Sequence, residues 1–369
     1  MIKLASPDIR PSDIKKAIAV LKSGNLVAGE KVELFEKKLG KFMGLPYCLA
    51  VSSGTAALHL ALLALKLGKG DGVIVPAFTF PATANVVEIV GAKTILSDVD
   101  AKTYVLSPQG LEKTILANKK EDLKAIIVVH EFGFPAKMKE ISKIAQKYGL
   151  KIIEDAACAL GSKTGGRHVG YCSDVACFSL HPRKALTTGE GGIVATRDKK
   201  IAGEVKKLRN HGIEIIKGKM DFTVAGLNYR LTDFQAALGL GQLERFSSVI
   251  KKRKKLAETY EKKLINISEI QLPQQNPGHS WQSYMVVLGK NINRQRIIEK
   301  MFQKGIQTNL GAQALNCLSY FKNKYHLKGS DFPIAKNLYK KGLVLPLYHQ
   351  LTSIDINNII TKLKETLNE

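Results

Sequence analysis

The amino-acid sequence predicts an α/β protein: a mostly parallel sheet sandwiched by helices, with a smaller C-terminal α/β domain. Short, continuously apolar runs alternate with amphipathic stretches over the first two thirds of the chain, the pattern of strands covered on both faces. A long helical zone then meets a segment broken by Pro273 and Pro277, and a second, shorter set of strand and helix signals follows. The 369 residues make about two domains' worth of chain, enough to bury a large core.

Taken in order, Val32, Phe35, Leu39 and Phe42 repeat at helical spacing. The run Gly72–Pro76 reads as a strand, as do Ala125–Val129, Lys151–Glu154, Val175–Phe178 and Gly192–Thr196. Met138, Ile141, Ala145 and Tyr148 mark a further helix, with Gly149 placed to end it as the residue past the cap. The helical zone runs from about Leu231 to Leu264. Beyond the break, Tyr284–Leu288 reads as a strand, and amphipathic stretches lie near 293–304, 331–341 and 354–366. The expected division is a large domain over 10–245 and a small one over 246–369, with residues 1–9 able to pack against the latter.

Composition narrows the function classes. The longest apolar stretch, around Leu58 to Leu65, is far short of the roughly 20 residues that span a bilayer. Pro and Asp stand near the N-terminus where a signal peptide would carry its apolar run. The five cysteines are odd in number and form no C-x-x-C pair, so the expectation is a cytoplasmic, reduced protein without a metal site or membrane partner. The formal charge of +24 raises nucleic acid as a partner, but only ten of the 56 basic residues are arginine and few aromatics lie among the lysines. The densest basic run, Lys251 to Lys255, reads as a solvated helix face, and the field fits an anionic small substrate better than a nucleic acid.

Ligands of an open parallel sheet collect at the carboxyl ends of its strands, and three such ends carry chemistry here. Val51-Ser-Ser-Gly-Thr-Ala-Ala57 opens a helix with a glycine turn and hydroxyls suited to a phosphate, although the same residues serve as ordinary capping. Glu154 and Asp155 emerge from a buried strand, where an unpaired carboxylate is costly; capping of the next segment is the other reading. Ser179, His181 and Lys184 lie in an irregular segment before the cluster Gly189-Glu-Gly-Gly192. A lysine by itself is most simply a surface side chain. Beside a buried aspartate and a phosphate cup, it makes the set that pyridoxal phosphate chemistry needs.

These motifs occur together and in order: Glu154-Asp-Ala-Ala157, Ser179-x-His181-x-x-Lys184, Thr187-Thr-Gly-Glu-Gly-Gly192 and Gly226-Leu-Asn-Tyr-Arg-Leu-Thr-Asp-Phe-Gln-Ala-Ala237. With Gly29 to Phe35, Pro76-Ala-Phe-Thr-Phe80 and Leu345-Pro-Leu-Tyr348, the sequence resembles the DegT/DnrJ-type nucleotide-sugar aminotransferases over nearly its whole length. That family has fold type I of the pyridoxal phosphate enzymes. The resemblance implies Lys184 as the Schiff-base lysine and Asp155 as the partner of the pyridinium nitrogen. It implies Gly54, Thr55 and Ser179 as phosphate holders, joined by Asn228 from the second subunit of a homodimer, and Phe80 as the aromatic on the ring face. Arg230 and Asn25 are implied on the substrate side, and His130 matches a family histidine for which a core role is the simpler reading.

One position departs from the commoner pattern, because Cys158 stands where many members carry Gln or His. A thiol is a weaker donor to the cofactor's phenolate oxygen than an amide or imidazole. The implied reaction moves an amino group from L-glutamate, through pyridoxamine phosphate, to a keto-sugar on a nucleoside diphosphate for surface polysaccharide or other glycoconjugate biosynthesis. A 4-keto-6-deoxyhexose is the expected sugar. Amination of a 3-keto sugar, or a non-catalytic regulatory role on the same fold, are the alternatives. The family's dehydratases replace the lysine by histidine, against which the retained Lys184 argues.

Overall fold

A computed structural model describes residues 1–369. Seven strands form the central sheet: β1 (Tyr47–Val51), β2 (Gly72–Pro76), β3 (Lys93–Ser97), β4 (Leu123–Val129), β5 (Lys151–Asp155), β6 (Val175–Ser179) and β7 (Gly192–Thr196). Their spatial order is β1-β7-β6-β5-β4-β2-β3. Every pairing is parallel except those of β7, which runs antiparallel to both β1 and β6. All strands but β7 therefore present their carboxyl ends on one edge of the sheet. The interior strands are buried on both faces, which is why they read as unbroken apolar runs.

Helices cover both faces. Among them are α1 (Pro11–Ser23), α2 (Glu30–Met43), α3 (Gly54–Ala64), α4 (Ala82–Ile89) and the 32-residue α5 (Asp233–Leu264). Val32, Phe35, Leu39 and Met43 form the buried stripe of α2, while Phe42 is half-buried with its ring edge-on to Phe246. The helix Met138–Lys147 ends at Tyr148, and Gly149 takes a left-handed φ of 67°. The Asp233 carboxylate, at the start of α5, accepts from the amides of Gly29, Lys31 and Val32 and so closes the N-terminus of α2 from a distant part of the chain.

The C-terminal part holds a four-stranded antiparallel sheet ordered Ile270–Gln271, Tyr284–Leu288, Gly342–Leu345, Asn309–Leu310. Its core of Tyr260, Trp281, Tyr284, Met301 and Leu363 includes the distal half of α5. Helix α5 runs without interruption through residues 245 and 246. Ile2 bridges to Ile306, and Arg245 binds Asp8 at 2.8 Å and Asp13 at 2.6 Å, tying the N-terminal segment to α5.

The basic run 251–255 is not uniformly a solvated face, as the sequence had suggested. Arg253 is buried and donates to the carbonyls of Trp281, Gln282 and Leu347 at 3.0, 3.1 and 3.0 Å. It falls on the apolar stripe of α5 with Phe246, Val249, Leu256 and Tyr260, so its neighbours in space are core residues. No helix is long and apolar enough to cross a membrane.

Candidate active site

The carboxyl ends of β1, β2, β4, β5 and β6 surround a cleft of about 650 Å³. Asp155 is the last residue of β5, and because successive strand residues face opposite sides it turns into the cleft while Glu154 turns away. Thr83 Oγ1, on α4, donates to Asp155 Oδ2 at 2.7 Å, and the Ala157 amide donates to Oδ1 at 3.1 Å. Burial raises the Asp155 carboxyl above its usual range, against the pull of those two bonds and of Lys184. A cationic partner in the cleft would relieve that cost.

Glu154 makes a different set. The Ala136 amide donates to His130 Nδ1 at 3.0 Å, so the Nε2–H of His130 donates to Glu154 Oε2 at 2.7 Å, and the Gly170 amide reaches the same oxygen at 2.7 Å. His130 is thus held beneath the sheet edge as a core histidine.

Lys184 follows β6 in an irregular segment pinned at several points. Its amide donates to His181 O at 2.8 Å, and Gln282 clamps both sides, accepting from the Ala185 amide at 3.1 Å and donating to Arg183 O at 2.7 Å. Lys184 is the only lysine lining the cleft, and its Nζ lies 3.0 Å from Cys158 Sγ. Burial pushes the Cys158 thiol up, with Lys184 pulling it back in part.

The start of α3 supplies an anion cup. Ser53 takes the amide of Ala56 with its Oγ at 3.0 Å and that of Ala57 with its carbonyl at 3.0 Å, which leaves the Gly54 and Thr55 amides without a partner in the chain. Gly54 is required by close approach: a Cβ there would lie 2.9 Å from Ser179 Cβ. Ser179 accepts from the His181 amide at 3.3 Å with its hydroxyl turned to the same cup. Phe80 is 64% exposed and forms part of the cleft wall, so it is no core phenylalanine.

The cleft therefore brings together Gly54, Thr55, Phe80, Asp155, Cys158, Ser179 and Lys184. It does not contain Asn25, Asn228 or Arg230. Asn25 lines a second cavity of about 990 Å³ beside α1 and α2. Asn228 is exposed, and Arg230 is half-buried and donates to Asn210 Oδ1. Thr83, Glu131 and Gln282 are cleft residues that the sequence reading did not single out. An acid at the end of a buried strand was a usable signal for Glu131, the same one that marked Asp155. Gln282 acts on a segment 97 residues away, and no local pattern announces it.

A family model described as the DegT/DnrJ/EryC1/StrS aminotransferase family matches residues 7–364. The chain belongs to that family. A curated relative, an uncharacterized protein of Methanocaldococcus jannaschii, is 33% identical over 377 residues, covering 98% of this chain and 97% of its own. PseC of Helicobacter pylori, an aminotransferase involved in the biosynthesis of pseudoaminic acid, superposes with a TM-score of 0.93 at 26% identity over 100% of this chain and 99% of that one. Spr1654 of Streptococcus pneumoniae, described as a sugar aminotransferase and solved in its PMP form, gives a TM-score of 0.92 at 26% identity, with 100% of this chain and 99% of that one covered. This member of the family is a sugar aminotransferase that depends on pyridoxal phosphate. The cleft fits that cofactor: free amides and a glycine cradle for the phosphate, an over-buried carboxyl for a cationic ring nitrogen, an exposed aromatic face and a lysine free to be tethered.

Proposed function

We propose that the enzyme transfers the amino group of L-glutamate to a nucleoside-diphosphate 4-keto-6-deoxyhexose, in the cytoplasm, for surface polysaccharide or another glycoconjugate. The observation that supports this most is a cleft that holds one lysine and one aspartate and is also lined by Asn309, Gly311, Ala312 and Gln313, whose amides can hydrogen-bond a sugar's hydroxyls. Bound pyridoxal phosphate supplies the carbonyl that takes up the amino group and the ring that delocalises the electron pair released at the substrate carbon. Lys184 would hold it in the cleft and, when free, would hold and move the proton at the substrate's reacting carbon. Asp155, oriented by Thr83, would favour a positive charge at the ring nitrogen. The overall charge of +24 raises the local concentration of a dianionic diphosphate.

In this reading the enzyme works as a homodimer in which Asn228 and Arg230 complete the neighbour's site. Their position outside the cleft of their own chain is consistent with it. The test is incubation with L-glutamate and a panel of dTDP-, UDP- and GDP-linked 3-keto and 4-keto sugars, followed by mass analysis for the amine. The expected product is a 4-amino-6-deoxyhexose. Turnover confined to 3-keto sugars would replace the proposed substrate.

A further inference from the structure

Glu131 is an acid in the cleft for which amino transfer, as described above, has no use. It follows His130 at the end of β4, is only 5% exposed, and still lines the cleft. Its one polar contact within the chain is a long one, from the Phe132 amide at 3.4 Å. The backbone that presents it is unusual. Phe132 has φ of 55°, a left-handed conformation seldom adopted by an aromatic residue, and Gly133 follows at 94°.

The C-terminal part of the chain enforces this conformation. The amides of Gln282 and Ser283 donate to Phe132 O at 2.9 and 3.4 Å, and Gly133 O accepts from the Ser280 amide at 3.2 Å and from Ser162 Oγ at 2.7 Å. A Cβ on Gly133 would lie 2.3 Å from Ser280 Oγ. The loop is therefore locked, and Glu131 with it.

Asp155, Cys158 and Lys184 share the cleft with Glu131, and Lys102, Tyr104 and His279 line a small cavity on its other side. Burial, and then the charge of Asp155, push the Glu131 carboxyl up to about 7, with Lys184 opposing. His279 is held neutral by burial, down to about 3, and burial likewise keeps the Tyr104 hydroxyl protonated.

Pyridoxal phosphate carries its aldehyde carbon between the phosphate arm and a ring hydroxyl. With the phosphate at Gly54, Thr55 and Ser179 and the aldehyde at Lys184 Nζ, the ring oxygen would fall among the polar groups on the Lys184 side of the cleft. Cys158 Sγ lies 3.0 Å from Nζ, and the Glu131 carboxyl lines the same cleft, buried and close enough to feel the charge of Lys184, while Asp155 is reserved for the ring nitrogen. A thiol donates weakly, and a carboxylic acid donates strongly to an anionic oxygen. We propose that Glu131 is a positioning residue for the cofactor, its protonated carboxyl donating to the ring-oxygen side of pyridoxal phosphate in place of the weak donor Cys158. When Glu131 ionises, the donated bond is lost and two negative oxygens are brought together.

The test needs neither sugar nor amino donor, so it stands apart from the substrate reading. Wild type, Glu131→Gln, Glu131→Leu and the double variant Glu131→Leu/Cys158→Gln are freed of cofactor and titrated with pyridoxal phosphate, with the visible spectrum followed against pH. Glu131→Gln keeps a donor but cannot ionise, so it should bind as wild type does at acidic pH and lose a spectral step that wild type shows on going alkaline, where the carboxyl that donates to the anionic oxygen gives up its proton. Glu131→Leu should bind about tenfold more weakly, and Cys158→Gln in that background should restore most of the affinity. Equal affinity and an unchanged pH profile in Glu131→Leu would overturn the proposal. So would the same step at an unchanged pH in Glu131→Gln, the variant closest to wild type in shape and the one least able to disturb folding.

Discussion

A carboxyl buried beside another carboxyl makes stability depend on pH, and Glu131 gives the clearest case. Its ordinary value of 4.5 applies to the unfolded chain, and about 7 to the folded one. Between those values the folded state binds more protons than the unfolded state, so the contribution of Glu131 falls as pH rises through the window and is level on either side. Subtracting the stability of the Glu131→Gln apoprotein from that of wild type isolates this effect. The difference should decline by on the order of 3 kcal/mol across the window; urea unfolding of both proteins at several pH values measures it, and a flat difference would refute the assigned environment. At this scale the sequence was informative where chemistry and strand register coincide. Glu154 and Asp155 were legible as costly acids at a buried strand end, and alternation then sends one to the cleft and the other to His130 and Gly170. Thr83 was not legible, because its value lies in a hydroxyl placed 2.7 Å from a carboxylate 72 residues away.

At the scale of elements, the first turn of α3 links sequence to binding most directly. Gly54 has an ordinary helical environment except that Ser179 sits where a Cβ would go. Gly54→Ala should therefore displace Ser179 or the start of the helix, distorting the cup formed by the free amides. The expected result is a rise of about tenfold or more in the dissociation constant for pyridoxal phosphate, since hydrogen bonds to a charged ligand are lost. Secondary structure by circular dichroism should be unchanged, because α3 stays capped by Ser53. Wild-type affinity in this variant would show that the phosphate lies elsewhere. The strands read as unbroken apolar runs were those interior to the sheet. Strands β1 and β3 escaped notice because they lie at its edges and begin with Tyr47 and Lys93. The reversal of β7 was illegible for another reason: Gly192–Thr196 is as apolar as its parallel neighbours, and direction is decided by the short irregular segment that returns the chain from β6. In α5, by contrast, the buried position of Arg253 could have been read from the spacing of Phe246, Val249, Leu256 and Tyr260 around it.

For the molecule as a whole, the decisive question is whether one chain suffices for a site. Ile14, Ile18 and Leu21 lie exposed along one side of α1, next to the exposed Leu26 and Val27. The hairpin Ile213–Ile216 with Lys219–Phe222 exposes Ile215, Met220 and Phe222 close in sequence to Asn228. Grouped apolar side chains of this kind are what a subunit interface covers. If Asn228 completes the neighbour's phosphate cup, the proposed dimer has two sites, each built from both chains. Lys184→Ala homodimers and Asn228→Ala homodimers should then each be severely impaired, the first through loss of the tether and the second through a weakened anchor. Dissociating the two variants together and reassembling them puts both defects into one site of each heterodimer and leaves the other site intact. Random reassembly makes half of the dimers hybrid, so about a quarter of wild-type activity should return. Activity of the mixture equal to the mean of the two parents would show that Lys184 and Asn228 act within a single chain, and sedimentation of the fully active enzyme as a monomer would do the same.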